Sequence, residues 1–415
     1  MNGFGTLFIV ALTLMVVTQL WLARRQLRHV NAHRDQVPPE FAERVTLATH
    51  RRAADYTMAK TRIGQWEILY SALLLLAWTF GGVLNRLDNL WRSLDLAPLW
   101  TGVGVLVSSF LLIGLLELPF SLYRTFHLEQ RFGFNRTTPA LYLSDLIKQT
   151  LLLLLLGVPF AALVLWLMAQ AGTLWWLYVW LAWMGFTLLL LWAYPAFIAP
   201  LFNRFTPLDN DELRTRIERL LTRCGFASSG VFVMDGSRRS AHGNAYFTGL
   251  GRNKRIVFFD TLLKGLNGDE VEAVLAHELG HFRRNHVRQR FVMSALFSLL
   301  GMALLGLLVQ QPWFYHGLGV ERPSLHMALL LFLLVIPVFT FFLQPLLAAR
   351  MRRHEFEADE FAAEQTDGSH LVRALVKLYE ENASTLTPDP LYSAFHDSHP
   401  PAPVRVAHLS TKLHG

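Results

Sequence analysis

The pentapeptide His277-Glu278-Leu279-Gly280-His281 brings together residue types that bind a metal ion and move a proton. Two histidines four positions apart lie on one face of an α-helix, so both imidazoles can reach one zinc ion at about 2.0 Å. Glu278 follows the first histidine and can face a water molecule that the metal activates. A carboxylate that takes the proton from this water generates a hydroxide able to attack a peptide carbonyl. The spacing therefore predicts zinc-dependent hydrolysis.

A second candidate metal-binding segment, residues 353–359, follows the last long apolar stretch of the chain. A catalytic zinc site takes three protein ligands and leaves the fourth position for water, so one further ligand is needed. Glu355 and Asp359 are one helical turn apart and share a face. One carboxylate could bind the metal while the other accepts a hydrogen bond from a metal-bound histidine. Spacing alone leaves His354 and Glu357 open as the ligand instead.

The histidine pair requires a helix, and the flanking sequence predicts where that helix begins. Asn267 followed by Glu270 matches a capping box, and Asp269 adds negative charge at the positive end of the helix. Apolar residues then recur at helical spacing and give the helix a buried face: Val271, Val274, Leu275, Leu279 and Phe282. The helix therefore starts near Asn267 and carries both histidines.

The polar segment before this helix has the pattern of a small sheet and a helix. Residues 209–224 have aliphatic side chains at helical spacing, which predicts an amphipathic helix. Three short runs rich in β-branched and aromatic residues follow, at Val231–Met234, Ala245–Thr248 and residues 256–259. Turns that contain Gly, Ser or Asn separate them. The segment thus predicts a small sheet beside the histidine helix.

The composition places most of the chain in a lipid bilayer. Of its 415 residues 53% are hydrophobic and only 17% are charged, which is unusual for a soluble globular protein. Seven stretches are long enough to cross about 30 Å of hydrocarbon: residues 3–23, 66–83, 99–119, 151–168, 174–194, 291–309 and 327–347. Glu117, near the end of the third stretch, either faces a polar interior or lies at the headgroup level. The only cysteine, Cys224, excludes an intrachain disulfide and a zinc site built from several thiolates.

Basic residues indicate how the chain is oriented in the membrane. The net charge is +7. A group of basic residues lies between the first two stretches: Arg24, Arg25, Arg28, Arg34, Arg44, Arg51, Arg52, Lys60 and Arg62. By the positive-inside rule this loop is cytoplasmic and the N-terminus is outside. Residues 123–150, 195–290 and 348–415 are then also cytoplasmic and contain almost every polar motif. Orientation explains the positive charge, so we expect no nucleic acid partner.

Several motifs occur in an order that is informative as a set. They are His277 to His281, residues 355–359, residues 244–247, His399-Pro400-Pro401 followed by Arg405, residues 132–138 and residues 200–208. Together they resemble the integral membrane zinc metalloproteases typified by the type I CAAX prenyl endopeptidase. The resemblance covers almost the whole chain.

The resemblance implies roles that spacing could not assign. It implies that Glu355 is the third ligand of one Zn²⁺ per chain and that Asp359 supports the ligands from beside them. His399 is similar to a family histidine that steadies the oxyanion or the water in the transition state. Arg405 looks like a structural anchor held in an ion pair.

The resemblance also implies how a substrate binds and what encloses it. Asn244, Ala245, Tyr246 and Phe247 are expected to form an edge strand that binds a peptide in extended form. Strand addition satisfies the peptide backbone and aligns the scissile carbonyl. The family fold is a ring of seven tilted helices around a water-filled chamber, closed on the cytoplasmic side by the zinc domain.

The predicted fold is accordingly a predominantly α-helical multispan membrane protein. Seven transmembrane helices surround an internal chamber, and a zincin-like α/β metalloprotease domain lies on the cytoplasmic side. Residues 1–195 form an N-terminal membrane region with five transmembrane helices, and residues 196–290 form a cytoplasmic segment with the histidine helix and the edge strand. Residues 291–349 contain transmembrane helices six and seven. Residues 350–415 complete the zinc site.

The predicted function is a membrane-embedded, zinc-dependent endopeptidase. Its partners would be the lipid bilayer and peptide or protein substrates, including those with a prenyl group or an apolar C-terminus. One alternative is a quality-control metalloprotease for membrane proteins without prenyl preference. A vestigial scaffold or transporter is another, opposed by the intact ligand set and Glu278. Short loops favour a bacterial inner membrane, with the N-terminus outside and the active site facing the cytoplasm; a eukaryotic chain would lie in the ER membrane.

Overall fold

The structure is a computed structural model that describes residues 2–248 and 254–413. Met1, residues 249–253 and residues 414–415 lie outside the described residues. They belong to the predicted segments 1–195, 196–290 and 350–415. The helices are, in chain order, α1 (Gly3–Ala32), α2 (Leu47–Trp78), α3 (Val83–Arg92), α4 (Pro98–Tyr123), α5 (Pro139–Gln170), α6 (Trp175–Ala193), α7 (Ala199–Phe202), α8 (Asp211–Arg223), α9 (Asp260–Gly265), α10 (Gly268–Arg283), α11 (His286–Leu308), α12 (Pro312–Gly317), α13 (Leu325–Thr340), α14 (Gln344–Gln365), α15 (Gly368–Glu381), α16 (Pro390–His396) and α17 (Ala402–Leu413).

Apolar helices make up most of the molecule. Among the described residues, six helical segments are long and apolar enough to cross a membrane, and the bent pair of α2 and α3 makes a seventh. The six segments contain α1, α4, α5, α6, α11 and α13. Each of the seven predicted stretches falls on one of these segments, so the prediction of a multispan α-helical membrane protein is confirmed.

The bend between α2 and α3 has a local cause. The two helix axes differ by 48°, and Gly82, between them, has a φ of +75°. Only glycine adopts this conformation without steric cost. A Cβ atom at Gly81 would lie 2.7 Å from the backbone of Ala77, so the tight approach also requires glycine there.

A small mixed sheet lies in the polar part of the chain. Its strands are β1 (Phe205–Pro207), β2 (Val231–Met234), β3 (Ala245–Thr248) and β4 (Arg255–Phe259), in the order β1-β2-β4-β3. β2 and β4 are parallel, whereas β1 and β3 pair antiparallel with their neighbours. The three predicted strands and the predicted helix, now α8, are confirmed. β1 was not predicted, and β3 lies at one edge of the sheet.

α10 is the central helix of this polar part. It packs against α14 on one side and contacts α8, α15 and β3 on others. Buried apolar side chains from these elements, from β4 and from α17 form one core, which includes Ile217, Leu220, Phe258, Leu275, Leu371 and Leu409. The core fixes α10 between the sheet and α14.

Cavities open between the helices, as the predicted internal chamber requires. One of about 570 Å³ is lined by α1, α2 and α15 and by the loops that flank α16. Another of about 680 Å³ lies between α4 and α5. Glu117 lines this second cavity and its side chain is exposed, so the choice between its two predicted placements stays a prediction.

Candidate metal centre and substrate edge

α10 begins with a cap that the sequence predicts. The side chain of Asn267 accepts a hydrogen bond from the amide of Glu270, and Glu270 accepts one from the amide of Asn267. Glu270 is buried and also pairs with Lys377 of α15 at 2.7 Å. The capping box is therefore present, and the ion pair ties the start of the histidine helix to α15.

A glycine between the two histidines allows α14 to approach α10. A Cβ atom at Gly280 would lie 2.9 Å from the Cα atom and 3.0 Å from the carbonyl oxygen of Ala358 on α14. Only a residue without a side chain permits this contact. Because Glu355 lies one turn before Ala358, the contact also brings its carboxylate to the histidine face of α10.

The two histidines and one carboxylate meet in a buried cluster. His277, His281 and Glu355 each offer one ligand atom, and these atoms lie within 4.8 Å of one another. Nε2 of His281 is 3.2 Å from Oε1 of Glu355, and Nε2 of His277 is 3.5 Å from Oε2. Oε2 is buried and, among the described residues, accepts no hydrogen bond of good geometry, although Nδ1 of His399 lies 2.6 Å away. A buried carboxylate whose Oε2 lacks a well-formed hydrogen bond, beside the two imidazoles of His277 and His281, fits a divalent cation of the zinc type.

His277 is oriented by a buried ion pair behind it. Its Nδ1 lies 2.8 Å from Asp359, which in turn accepts a 2.8 Å hydrogen bond from Nε of Arg405 on α17. Asp359 and Arg405 are both buried. Burial lowers the pKa of His277, but its hydrogen bonds to Asp359 and Glu355 outweigh burial and raise the pKa to about 9. Without metal the imidazole thus holds a proton between two carboxylates, which a metal ion would displace.

The two other residues that spacing left open as ligands lie outside this cluster. Glu357 contacts His286 of α11 at 2.9 Å, and the ring of His354 stacks on that of His286 at 4.0 Å. Sequence reasoning missed His286. α10 ends at Arg283 and Asn285 adopts a left-handed conformation, so helical spacing from the histidine pair gives no signal for it.

Glu278 and His399 both line a cavity of about 280 Å³ beside the cluster. The side chain of Glu278 is half-buried and, among the described residues, has no hydrogen-bond or ion-pair partner. His399 lies in the loop between α16 and α17, with 62% of its side chain exposed, and its Nδ1 is 2.6 Å from Oε2 of Glu355. The loop also lines the larger cavity of about 570 Å³. His399 therefore lines both cavities, and both side chains can reach a molecule in the smaller one.

The same cavity is bordered by Ala245, the first residue of the edge strand β3, and by Asn244, which the sequence placed in the strand and which directly precedes it. The carbonyl of Asn244 accepts a hydrogen bond from the amide of Phe259 on β4, so alternate residues of the strand pair inward. Asn244 and Tyr246 therefore pair with β4, while the backbone groups of Ala245 and Phe247 face the open edge. In agreement, the amide of Ala245 donates to the side chain of Asn244. Of the four predicted substrate-binding residues, Asn244 and Tyr246 therefore pair with the sheet, and Ala245 and Phe247 present their backbone groups to the open edge.

Comparisons with family models cover nearly all of the chain. Residues 26–204 match a model described as CAAX prenyl protease N-terminal, five membrane helices. Residues 207–413 match the model of peptidase family M48. The N-terminal half of the chain, with its membrane helices, and the C-terminal half, with the metal cluster, therefore each match a protease family model.

Individual proteins are similar to this chain over most of its length. The CAAX prenyl protease 1 homolog of Arabidopsis thaliana is 39% identical over 80% of this chain and 78% of its own. CAAX prenyl protease 1 of Saccharomyces cerevisiae is 33% identical over 90% and 88%, and the human homolog is 31% identical over 98% and 95%. The crystal structure of S. mikatae Ste24p is similar with a TM-score of 0.90, at 30% identity over 99% of both chains.

Proposed function

The chain belongs to peptidase family M48 and is a membrane-embedded metalloendopeptidase, and we propose that Zn²⁺ is its metal and that His277, His281 and Glu355 hold it. The observation that supports the metal is the close approach of one ligand atom from each of these buried side chains. Two imidazoles and one carboxylate form a zinc donor set that leaves a position open for water.

The remaining side chains of the site divide the work of peptide hydrolysis. When bound, Zn²⁺ would polarise the peptide carbonyl and activate a water molecule for attack. Glu278 takes the proton from the attacking water and returns it to the nitrogen of the departing amine. His399 lines the same cavity and donates a hydrogen bond to the oxyanion. Asp359 and Arg405 hold His277 in its orientation.

The substrate is a peptide or protein segment that adds to the open edge of β3. The backbone groups of Ala245 and Phe247 supply the hydrogen bonds, and Asn244 and Tyr246 keep the strand in the sheet. The helix-lined interior receives the rest of the substrate. A prenyl group or an apolar C-terminal segment gains about 0.8 kcal/mol for each CH₂ removed from water, which favours such substrates over polar ones.

The protein is a multi-pass membrane protein, and its orientation follows from its charges. Basic residues concentrate at the end of α1, in the loop after it and in the first half of α2, which supports a cytoplasmic active site and an N-terminus outside. In a bacterium this membrane is the inner membrane, and in a eukaryote it is the ER membrane.

Substitutions that separate metal binding from proton transfer test the proposal. Purified protein should contain about one zinc per chain, and a chelator should abolish peptide cleavage. Glu278→Gln should retain zinc and lose hydrolysis, whereas His281→Ala should lose both. Glu272→Gln is a matched control, because Glu272 lies on the same helix but faces Arg223 at 3.5 Å. Full zinc content in His281→Ala would show that the ligand is wrongly assigned, and cleavage at the wild-type rate by Glu278→Gln would exclude it as the base.

A further inference from the structure

The second histidine of the metal cluster has a partner that the proposed mechanism does not use. Nδ1 of His281 lies 3.0 Å from Nδ1 of His286, the first residue of α11, whose side chain is fully buried. Nε2 of His286 lies 2.9 Å from Oε2 of Glu357 on α14. Three helices, α10, α11 and α14, thus meet in one chain of hydrogen bonds that ends at a candidate ligand.

The order of these contacts determines where each proton lies. An ionised carboxylate only accepts, so Nε2 of His286 must donate to Glu357. A neutral imidazole has a single N–H group, which leaves Nδ1 of His286 as an acceptor. The proton between the two histidines therefore belongs to Nδ1 of His281, and the lone pair of His281 lies on Nε2. Nε2 is the atom that lies 3.2 Å from Glu355, on the side where the metal would bind.

Neighbouring side chains hold this arrangement. The ring of His354 stacks on that of His286 with an angle of 4° between the planes, which fixes the plane of the His286 ring. On the solvent side, the exposed side chain of Arg353 donates to the other carboxylate oxygen of Glu357 at 3.0 Å. The guanidinium of Arg290, which can only donate, lies 3.4 Å from Nδ1 of His281 and opposes a proton there, but this contact is longer and weaker than the 3.0 Å contact with His286.

We propose that His286 and Glu357 are positioning residues that select the tautomer of His281 whose Nε2 lone pair faces the metal. This inference rests on the zinc site proposed above and extends it to residues outside the ligand set. The two histidines are then supported in different ways. His277 donates directly to the carboxylate of Asp359, whereas His281 donates to an imidazole that passes the interaction on to Glu357.

The test compares variants that change hydrogen bonding but little of the shape. His286→Phe keeps an aromatic ring against His354 and removes both nitrogens. Glu357→Ala removes the acceptor, whereas Glu357→Gln keeps an amide oxygen that can still accept from Nε2 of His286. Arg353→Ala is the control, because it removes the other partner of Glu357 from a side chain that is 81% exposed.

Zinc affinity is measured by competition with a chromophoric chelator, and the visible absorption of Co²⁺ in place of zinc reports the ligand geometry. His286→Phe and Glu357→Ala should weaken zinc binding by about 10- to 100-fold, as is typical when the partner of a ligand histidine is lost, and should change the Co²⁺ spectrum. Glu357→Gln and Arg353→Ala should stay within about fivefold of the wild type. The thermal midpoint of each metal-free variant is measured alongside.

The outcomes separate a positioning role from packing. Weaker zinc binding with an unchanged metal-free midpoint supports the inference. Wild-type affinity in both His286→Phe and Glu357→Ala overturns it, as does an equal loss in Glu357→Gln and Glu357→Ala, because the accepting oxygen would then be irrelevant. A loss confined to variants whose metal-free midpoint also falls assigns the effect to packing and overturns it too. If the wild-type protein itself binds no zinc, the proposed function fails, which is a different result.

Discussion

Gly280→Ala tests how closely the two ligand helices must approach. A Cβ atom at this position would lie 2.9 Å from the Cα atom of Ala358 and 3.0 Å from its carbonyl oxygen. Both atoms belong to the backbone of α14, so no side-chain rotation relieves the contact. The helices must instead separate by about 0.5 Å to restore an ordinary van der Waals distance.

A separation of this size should affect zinc affinity strongly and the free energy of unfolding only slightly. Glu355 lies on one of the two helices, and both histidines lie on the other. Zinc–ligand distances are held within about 0.2 Å, so we expect zinc affinity to fall at least about tenfold. Overpacking costs about 1–3 kcal/mol, whereas alanine in place of glycine within a helix recovers about 1 kcal/mol. The free energy of unfolding should therefore fall by only about 0–2 kcal/mol.

Chelator competition and a thermal melt in the same detergent measure the two effects separately. Gly185→Ala on α6 is the control, because a Cβ atom there would meet no atom within 4 Å, and it should leave zinc affinity unchanged without lowering the thermal midpoint. A folded Gly280→Ala protein with wild-type zinc affinity would refute the argument that this contact sets the ligand distance.

Three further predictions concern the ion pair, the edge strand and the substrate. Asp359→Ala should weaken zinc binding about 10- to 100-fold and lower the thermal midpoint, because an unpaired buried guanidinium costs about 3–5 kcal/mol; adding Arg405→Met should restore most of the midpoint but not the affinity. Ala245→Pro should impair peptide cleavage with zinc retained, since its amide faces the open edge, whereas Tyr246→Pro should also disturb folding in a thermal melt. Prenylated peptides should be cleaved with a lower KM than unmodified peptides of the same sequence; equal KM values would favour a general quality-control protease.

Local patterns predicted much of the fold because the relevant interactions are local. The cap of α10 depends on Asn267 and Glu270, three positions apart, and the strands Val231–Met234 and Ala245–Thr248 have their own β-branched and aromatic signature. β1 escaped prediction because Phe205–Pro207 is only three residues long and contains proline. Its pairing with β2 supplies the strand character that the sequence lacks.

The site was predictable only where one helix carries the pattern. His277 and His281 share a helix, so spacing identified them. The choice of Glu355 on α14 came from family resemblance, since the neighbouring Glu357 has the same chemistry. The contact between Glu357 and His286 could not be predicted, because it depends on how α14 packs against the start of α11. Distances between helices are a property of the packed fold and leave no periodic signal in either sequence.

The proposed metal ligands are separated in the chain by a membrane hairpin, which has a consequence for biosynthesis. α10 carries both histidines and comes before α11, whereas Glu355 follows α13. A nascent chain that stops before the hairpin has entered the bilayer has two ligands and no third, however well α10 has folded. Arg405, the partner of Asp359, emerges later still. On this assignment the metal site is completed only after the final spans have been inserted, so an incompletely synthesised chain cannot cut the proteins around it.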